Sequence, residues 1–188
     1  QAPGETPQPI RIQGFDSPVG TLEERLSSKI WPGSWTMAIG YAVYYTTVGA
    51  AYHTGVDLNL NTPRWDSDKN APIYAPADGV VTFSGKLAGT WGHVIVIRHD
   101  PLSNGAVYWS RVAHVNNPAV VEGQRVERGE QIALIGNAGG RVAYHLHYDI
   151  VKTNILERNP GHWPGANLDQ VVKHYVNPTT FTRENRPK

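Results

Sequence analysis

Short apolar runs separated by turn-forming residues are the feature that most limits how this chain can fold. From residue 35 onward, six such runs are rich in β-branched and aromatic residues, and each is bounded by Gly, Pro, Asn or Asp. No amphipathic segment of ~12 residues separates them, so the pattern favours antiparallel pairing over β-α-β units. The predicted strands cover residues 35–45, 79–85, 94–98, 107–112, 131–135 and 145–151.

The start of the chain differs from the rest, because residues 1–20 carry four prolines and show no hydrophobic periodicity. They are predicted to form an extended arm or linker that drapes over the domain or stays mobile. We expect one domain over residues 21–188, since a chain of 188 residues is long enough for one core and too short for two ordinary domains.

One short helix is predicted near the start, over residues 17–31. Leu22, Leu26 and Ile30 recur every four residues, and Pro32-Gly33 would end the helix. The aromatic and proline-rich tail after residue 152 is expected to pack back on the sheet. These patterns predict a mainly β fold: an antiparallel sheet with a barrel-sandwich-like core, a groove across one face and a short N-terminal helix.

Composition excludes several classes of function. Lys and Arg number 17 against 16 Asp and Glu, a balance without the basic surface that binds nucleic acid. Cysteine is absent, which removes disulfides, thiolate ligands and a Cys nucleophile. No apolar run is long enough to span a bilayer. The chain starts at Gln1 without a leader, so we expect any signal peptide to have been removed or left out, and export has to be argued from function.

Two histidines in the last predicted strand point to a metal. Residues i and i+2 of a strand face the same side, so His145 and His147 would project together, about 6–7 Å apart along the chain. An apolar core would leave their ring nitrogens without partners. A bound metal ion would provide those partners.

His53-Thr-Gly-Val-Asp57 offers a second pair of possible ligands. Gly55 and its β-branched neighbours argue against a helix, and in extended chain residues i and i+4 again share a face. Two imidazoles and one carboxylate form a common ligand set for catalytic zinc, with a fourth position left for water. Nickel, cobalt or manganese could use the same ligands.

These motifs resemble the two signature motifs of the lysostaphin-type zinc metallopeptidases, which cut peptidoglycan cross-links. His53–Asp57 is similar to the first motif and His145–His147 to the second, and the segments between them match in order over roughly residues 50–152. Those further matches are Ala71-Pro-Ile-Tyr-Ala-Pro-Ala-Asp-Gly-Val-Val81, Trp91-Gly-His-Val-Ile-Val-Ile-Arg-His99, the paired-glycine turn at 121–132 and Gly136-Asn-Ala-Gly-Gly140.

The resemblance implies a role for each matched residue. His53, Asp57 and His147 would hold one Zn²⁺ ion. His114 and His145 would be catalytic, one as general base and the other stabilising the transition state or protonating the leaving amine. A tyrosine upstream of the first ligand could steady the oxyanion; Tyr44, Tyr45 and Tyr52 are the candidates. Imidazoles that titrate near 6.5 suit this proton transfer.

The sequence departs from the family pattern around these residues. Val112 replaces a tyrosine that often stands two residues before the histidine matched by His114, and Tyr148-Asp149 replaces Phe-Glu. Gly-Pro before the His-x-His motif is replaced by Ala143-Tyr144. No ligand or catalytic imidazole is lost, so these departures bear on substrate preference and on the surroundings of the ligands. Asp149 could orient a ligand imidazole or be an ordinary surface carboxylate.

The remaining histidines and tryptophans are expected to be mainly structural. His99 should hydrogen-bond within the sheet, while His93 is open between a structural and a substrate role. His162 and His174 are predicted to be surface or packing residues. Of the tryptophans, Trp91 and Trp109 could line a groove.

The sequence is consistent with three hypotheses for function. The first is a secreted, periplasmic or cell-wall-associated endopeptidase, acting as a monomer on peptides of peptidoglycan cross-bridges or stems, with specificity loops at 61–70 and 100–106. The second is a catalytically silent relative that binds peptidoglycan or regulates another hydrolase. The third is a carrier module of the biotinyl or lipoyl type, for which Lys86 lacks the expected flanks. The N-terminal arm could cover the metal in a latent form, with Glu5 and Asp16 as its possible ligands.

Overall fold

The computed structural model describes residues 14–26, 35–47 and 49–187, and most of its regular structure is β. Its helices are short, and none in the described ranges is long and apolar enough to cross a membrane. The strands are β1 (Trp35–Ile39), β2 (Tyr44–Tyr45), β3 (Ala51–Tyr52), β4 (Val56–Leu60), β5 (Pro72–Tyr74), β6 (Gly79–Leu87), β7 (Gly92–His99), β8 (Trp109–Val115), β9 (Arg125–Val126), β10 (Gln131–Leu134), β11 (Leu146–Val151) and β12 (Tyr175–Val176), and the helices are α1 (Leu22–Leu26), α2 (Ile155–Arg158), α3 (Leu168–His174) and α4 (Pro178–Glu184).

One antiparallel sheet forms the body of the fold. Its strands are ordered β1-β4-β11-β8-β7-β6-β9, and β12 adds to β11. Two smaller sheets, β5 with β10 and β2 with β3, complete the described strands. The prediction of a mainly β, antiparallel fold is confirmed. The order matters for function because β4, β11 and β8, the strands that carry or adjoin the histidine motifs, are neighbours.

Alternation along the central strands divides the core into two layers. Ile95 and Ile97 on β7 point into the larger cluster, which the β5–β10 sheet covers, whereas Val94 and Val96 point to the other face. This is the two-residue period of a strand buried on both sides. On β11 the same alternation directs Tyr148 into the larger cluster and leaves His147 on the opposite face.

The start of the described chain packs against the sheet. Phe15 and Val19 are buried in the larger cluster. Residues 1–13 lie outside the described residues, so the arm predicted over residues 1–20 and its boundary stay a prediction. Asp16 hydrogen-bonds Arg186 at 3.2 Å and pairs with Arg128 at 3.3 Å, so its carboxylate is held by arginines.

The N-terminal helix begins later than the sequence indicates. It starts at Leu22 and not at residue 17, because Thr21 and Glu24 form a reciprocal cap: the Glu24 N–H donates to Thr21 Oγ1, and the Thr21 N–H donates to Glu24 Oε2. The second half of the predicted helix, residues 27–31, lies outside the described residues.

The tail packs back on the sheet, as predicted, but it does so as helices that were not predicted. Asn167 caps α3 and Asn177 caps α4, each accepting from a backbone N–H two or three residues later. Phe181 of α4 enters the larger core cluster, where its ring lies 4.9 Å from that of Phe15. The two ends of the described chain therefore meet on the face of the sheet away from His147.

Candidate metal centre

The turn that leads into β4 brings His53 and Asp57 to one point. His53 precedes the strand, and its Nδ1–H donates to the carbonyl of Gly55 at 2.9 Å. Because a carbonyl can only accept, this bond leaves the lone pair of His53 on Nε2. A Cβ on residue 55 would lie 2.1 Å from the carbonyl oxygen of Tyr148 on β11. Gly55 therefore allows β4 to approach β11 closely enough for the two motifs to meet.

His147 completes a cluster of three buried side chains. It lies directly opposite Asp57 in the β4–β11 pairing. His53 Nε2 is 3.1 Å from both His147 Nδ1 and Asp57 Oδ1, and these two atoms are 3.0 Å apart. A tetrahedral zinc site with bonds of ~2.0–2.1 Å has ligands about 3.3–3.4 Å apart. The structure thus brings together the three predicted ligands, and their donor atoms fit one small ion.

Negative charge on Asp57 and Asp149 favours a positive charge on the imidazole of His147, which lies between them. Burial alone would lower the pKa of His147, but Asp149 and Asp57 outweigh it and raise that pKa to about 9. Burial alone would raise the pKa of Asp57, but the adjacent imidazoles of His147 and His53 outweigh it and hold that pKa well below its usual value. Asp57 therefore stays anionic beside the imidazoles, and a divalent cation, which displaces imidazole protons on binding, suits the same position.

A buried ion pair behind His147 fixes the orientation of its ring. The Nε2–H of His147 donates to Asp149 Oδ2 at 2.9 Å, which leaves the Nδ1 lone pair for the cluster. Arg111 lies opposite Asp149 in the β8–β11 pairing and donates from Nε to the same oxygen at 2.6 Å. Both side chains are fully buried. Of the two alternatives left open for Asp149, it is therefore not a surface carboxylate but contacts the imidazole of His147. Arg111 was not among the predicted site residues.

A second pair of imidazoles adjoins the cluster. The rings of His114 and His145 are 4.6 Å apart, and the ring of His114 is 5.9 Å from that of His147. His145 immediately precedes β11, and its Nε2 lies 3.8 Å from Asp57 Oδ1. The structure therefore brings both predicted catalytic residues beside the three predicted ligands.

Backbone carbonyls set the tautomers of this second pair. His114 Nδ1–H donates to Thr90 at 2.7 Å, and His145 Nδ1–H donates to Ala143 at 2.8 Å. In the neutral form each ring therefore keeps its lone pair on Nε2. Burial, with the nearby imidazoles of His145 and His147, lowers the pKa of His114 to about 3. Each ring in its neutral form can thus accept a hydrogen bond through Nε2, and the lowered pKa keeps His114 in that form at neutral pH.

The position of His114 is constrained by its backbone. Its φ of 63° lies in the left-handed region that residues other than glycine seldom adopt. Its carbonyl oxygen packs against Gly136, where a Cβ would lie 2.3 Å away. Strained backbone of this kind persists where the surrounding structure holds it in place, and it is concentrated at functional sites.

Aromatic side chains enclose a cleft of about 180 Å³ beside the cluster. The ring of Trp163 is 6.2 Å from that of His53 and 6.1 Å from that of His147, and it lies 5.6 Å from Trp91. Trp91 was one of two tryptophans for which a place at a groove was left open; the other, Trp109, packs into the smaller core layer. The cleft is lined by Tyr45, Thr90, Trp91, His114, His147 and Trp163.

Only one of the three candidate tyrosines lines this cleft. The ring of Tyr45 is 5.7 Å from that of His53, whereas Tyr44 is exposed and its ring packs on Tyr52. Burial, with the charges of Asp57 and Asp149, raises the pKa of Tyr45 to about 12. Its hydroxyl group therefore remains protonated at neutral pH and can donate a hydrogen bond.

The other histidines make structural contacts. His99 is buried, with ring nitrogens 3.2 Å from the Asp78 carbonyl and 2.8 Å from Ser110 Oγ, as expected for a histidine bonded within the sheet. His93 Nε2 lies 3.1 Å from Ser84 Oγ. His162 and His174 pack against each other with ring centres 5.3 Å apart.

The carrier hypothesis receives no support from the position of its lysine. Lys86 lies within β6, paired with His93 on β7, and not at the tip of the hairpin that joins these strands.

Comparison with known proteins agrees with this arrangement. Residues 51–160 match the model of a family described as Peptidase family M23. Over 105 residues the chain is 32% identical to the peptidoglycan DD-endopeptidase ShyA of Vibrio cholerae. The matched region makes up 56% of this chain and 21% of that protein. The chain spans about a fifth to a quarter of the length of such curated relatives.

Two solved structures share the fold. A zinc-containing peptidase from Vibrio cholerae has a TM-score of 0.53 and 27% sequence identity, covering 73% of this chain and 36% of that chain. The catalytic domain of the antimicrobial peptidase lysostaphin from Staphylococcus simulans has a TM-score of 0.56 and 19% identity, covering 79% of this chain and 92% of that domain. At 19% identity the second likeness concerns the fold alone.

Proposed function

This chain belongs to peptidase family M23, and from that premise we propose that it is a zinc-dependent endopeptidase that hydrolyses peptide bonds in the cross-bridges or stems of bacterial peptidoglycan. The family membership agrees with the resemblance to lysostaphin-type peptidases found in the motifs. The observation that carries the proposal is the set of three acceptor atoms, from His53, Asp57 and His147, held 3.0–3.1 Å apart.

These three residues would hold the ion, and their charges suit it. Asp57 contributes one negative charge and the two imidazoles bind as neutral ligands, while the charge of Asp149 is balanced by Arg111. A zinc ion, when bound, supplies a Lewis acid that polarises a peptide carbonyl and lowers the pKa of a coordinated water to about 7.

Proton transfer falls to His114 and His145. One Nε2 would accept the proton released when water attacks the peptide carbonyl, and the other would donate a proton to the leaving amine. Their Nδ1 bonds to backbone carbonyls keep each Nε2 free for this task. The phenol of Tyr45, protonated at neutral pH, would donate to the developing oxyanion.

The substrate is proposed from two observations. The family match and the name of the Vibrio cholerae relative, a peptidoglycan DD-endopeptidase, point to peptides of the cell wall. The cleft of about 180 Å³ is smaller than the ~300–1,000 Å³ of sites for drug-sized ligands, so it suits a peptide bond with small neighbouring groups. A peptidoglycan substrate places the proposed activity outside the cytoplasm, and we propose that one copy of the chain is sufficient for it.

The test is digestion of several purified peptidoglycan types, with the released fragments identified by mass spectrometry. We expect new amino termini at one type of peptide bond, loss of cleavage after chelation, and recovery with added zinc. His114→Ala, with its zinc content checked, is the matched inactive variant. A protein that binds zinc and peptidoglycan but releases no fragments would instead be the silent relative. Retention of His114 and His145 beside the three ligands favours hydrolysis over that alternative.

A further inference from the structure

We propose that Arg111 is a positioning residue that holds two parts of the site at once: the ligand His147, through Asp149, and the cleft wall Trp163, through the backbone that precedes it. This inference deepens the proposed function and rests on it for the metal site.

The N–H groups of the Arg111 guanidinium donate to two separate partners, a carboxylate on β11 and the backbone of the Trp163 loop. From Nε it donates to Asp149 Oδ2, the oxygen that also accepts from His147. From Nη1 it donates to the carbonyls of Pro160 and His162, at 3.0 Å each. One planar side chain therefore joins β11, where the ligand lies, to the loop just before Trp163.

The complete burial of the Arg111–Asp149 pair indicates a role beyond stability. The side chain of Arg111 is 0% exposed, as is that of Asp149. Removing two charges from water is costly, and apolar residues of similar volume often stabilise a core as well or better. Stability alone therefore does not require Arg111. The fixed, planar set of five N–H donors gives a geometry that neither an apolar residue nor lysine can reproduce.

The Trp163 loop is anchored on both sides of the tryptophan. Before it, the carbonyl of His162 accepts from Arg111 and from the Tyr175 hydroxyl at 2.9 Å. After it, the carbonyl of Gly165 accepts from the Tyr52 N–H at 2.9 Å. These bonds hold the indole beside the ligand imidazoles.

Trp91 extends the same connection. The guanidinium carbon of Arg111 lies 4.2 Å from the centre of the Trp91 ring, a cation–π contact. The Trp91 ring in turn lies 5.6 Å from those of His147 and Trp163. The wall of the cleft and the orientation of a ligand thus depend on one cation.

Arg111→Lys separates these effects from a general loss of packing. The zinc affinity of the purified chain is measured by competition with a chromophoric chelator, and the Trp163 environment by near-ultraviolet circular dichroism, with Trp163→Phe identifying its contribution. We expect zinc affinity to fall 10–100-fold, the usual effect of losing a group that orients a ligand. We also expect the Trp163 signal to change, because one ammonium cannot reach both Asp149 and the two carbonyls.

Two further variants make the result specific. Asp149→Asn should lower zinc affinity but leave the Trp163 signal intact, since the bonds from Arg111 to Pro160 and His162 remain. Arg125→Lys is the matched control, because Arg125 pairs with Asp100 on the surface. Neither its zinc affinity nor its Trp163 signal should change.

The inference is overturned if Arg111→Lys behaves like Arg125→Lys in both readings. If Arg111→Lys does not fold, an unchanged zinc affinity in Asp149→Asn overturns it equally. A wild-type chain that binds no zinc would instead contradict the proposed function, and the Trp163 signal of Arg111→Lys would still decide whether that residue holds the loop.

Discussion

Asp57 and His147 face each other across the β4–β11 pairing, with Asp57 Oδ1 3.0 Å from His147 Nδ1. The two residues are 90 positions apart in the chain, and strand register alone brings them together. His53 joins them from the turn before β4, so two strands and one turn define the whole proposed ligand set.

Removal of the carboxylate should abolish metal binding. Asp57→Ala leaves two imidazoles without the anionic ligand, and we expect the zinc content to fall from one equivalent per chain to near zero, measured by mass spectrometry of the dialysed protein. In the wild type, free zinc at 100 times its Kd should raise the free energy of unfolding by about 2.7 kcal/mol. Asp66→Ala, in the loop between β4 and β5, is the control. Equal zinc content in Asp57→Ala and wild type would refute the assignment.

Removal of either imidazole of the second pair should impair hydrolysis without loss of metal. For His114→Ala and His145→Ala we expect kcat to fall by about 10²–10⁴-fold, the usual contribution of a general acid or base, while zinc content stays at the wild-type level. Steady-state kinetics on a peptide released from peptidoglycan, with zinc content measured on the same samples, would check this. His93→Ala, whose imidazole contacts Ser84 away from the cluster, is the matched control. Full activity in His114→Ala would remove that residue from the mechanism.

The close approach of β4 and β11 should be sensitive to a single methyl group. In Gly55→Ala the new Cβ would meet the Tyr148 carbonyl at 2.1 Å, so backbone must move. We expect a loss of about 1–3 kcal/mol in the free energy of unfolding, typical of overpacking, together with weaker zinc binding. Gly40→Ala is the control, since its Cβ would have no contact closer than 3.6 Å. Urea denaturation of both variants measures the difference, and equal losses would contradict the prediction.

The sequence predicted the parts of the site that depend on local spacing. His145 and His147 are two residues apart, the spacing of side chains on one side of a strand. His53 and Asp57 are four apart, but a turn, and not the extended chain that was expected, brings their side chains to 3.1 Å. Five of the predicted strands correspond to β6, β7, β8, β10 and β11, with ends that differ by a few residues. In the sixth, residues 35–45, β1 and β2 are separated by a turn at Tyr41 and Ala42.

Two residues of the site, Arg111 and Trp163, were not predicted, because their positions depend on contacts between distant parts of the chain. Arg111 reads as an isolated cation in an apolar strand, and only its pairing with Asp149 gives it a function. Trp163 reaches the cleft because the loop before α3 returns to β3, which no local period encodes. A signal for α4 was present, however: Asn177-Pro178 combines an N-cap residue with proline at the first helical position.

His99 should make the stability of the fold depend on pH. Burial lowers the pKa of His99 to about 4 from its ordinary value of 6.5. Two effects oppose this shift: hydrogen bonds to the backbone of Asp78 and Ala77, and the negative charges of Asp100 and Asp78. Since the folded state holds the proton less tightly than the unfolded state, the unfolded chain binds more protons between these two values. The contribution of His99 is therefore complete above pH 6.5 and is lost as the pH falls towards 4, to a total of about 3 kcal/mol.

The measurement compares wild type with His99→Gln by urea denaturation at pH 7 and pH 4.5. A chelator is present throughout, so that the site histidines titrate equally in both proteins and cancel in the difference. Between these two pH values we expect the wild type to lose about 2–3 kcal/mol more than the variant. Glutamine can still bond to Ser110 but cannot take up a proton, so parallel pH profiles would mean that burial does not disfavour the charged form of His99.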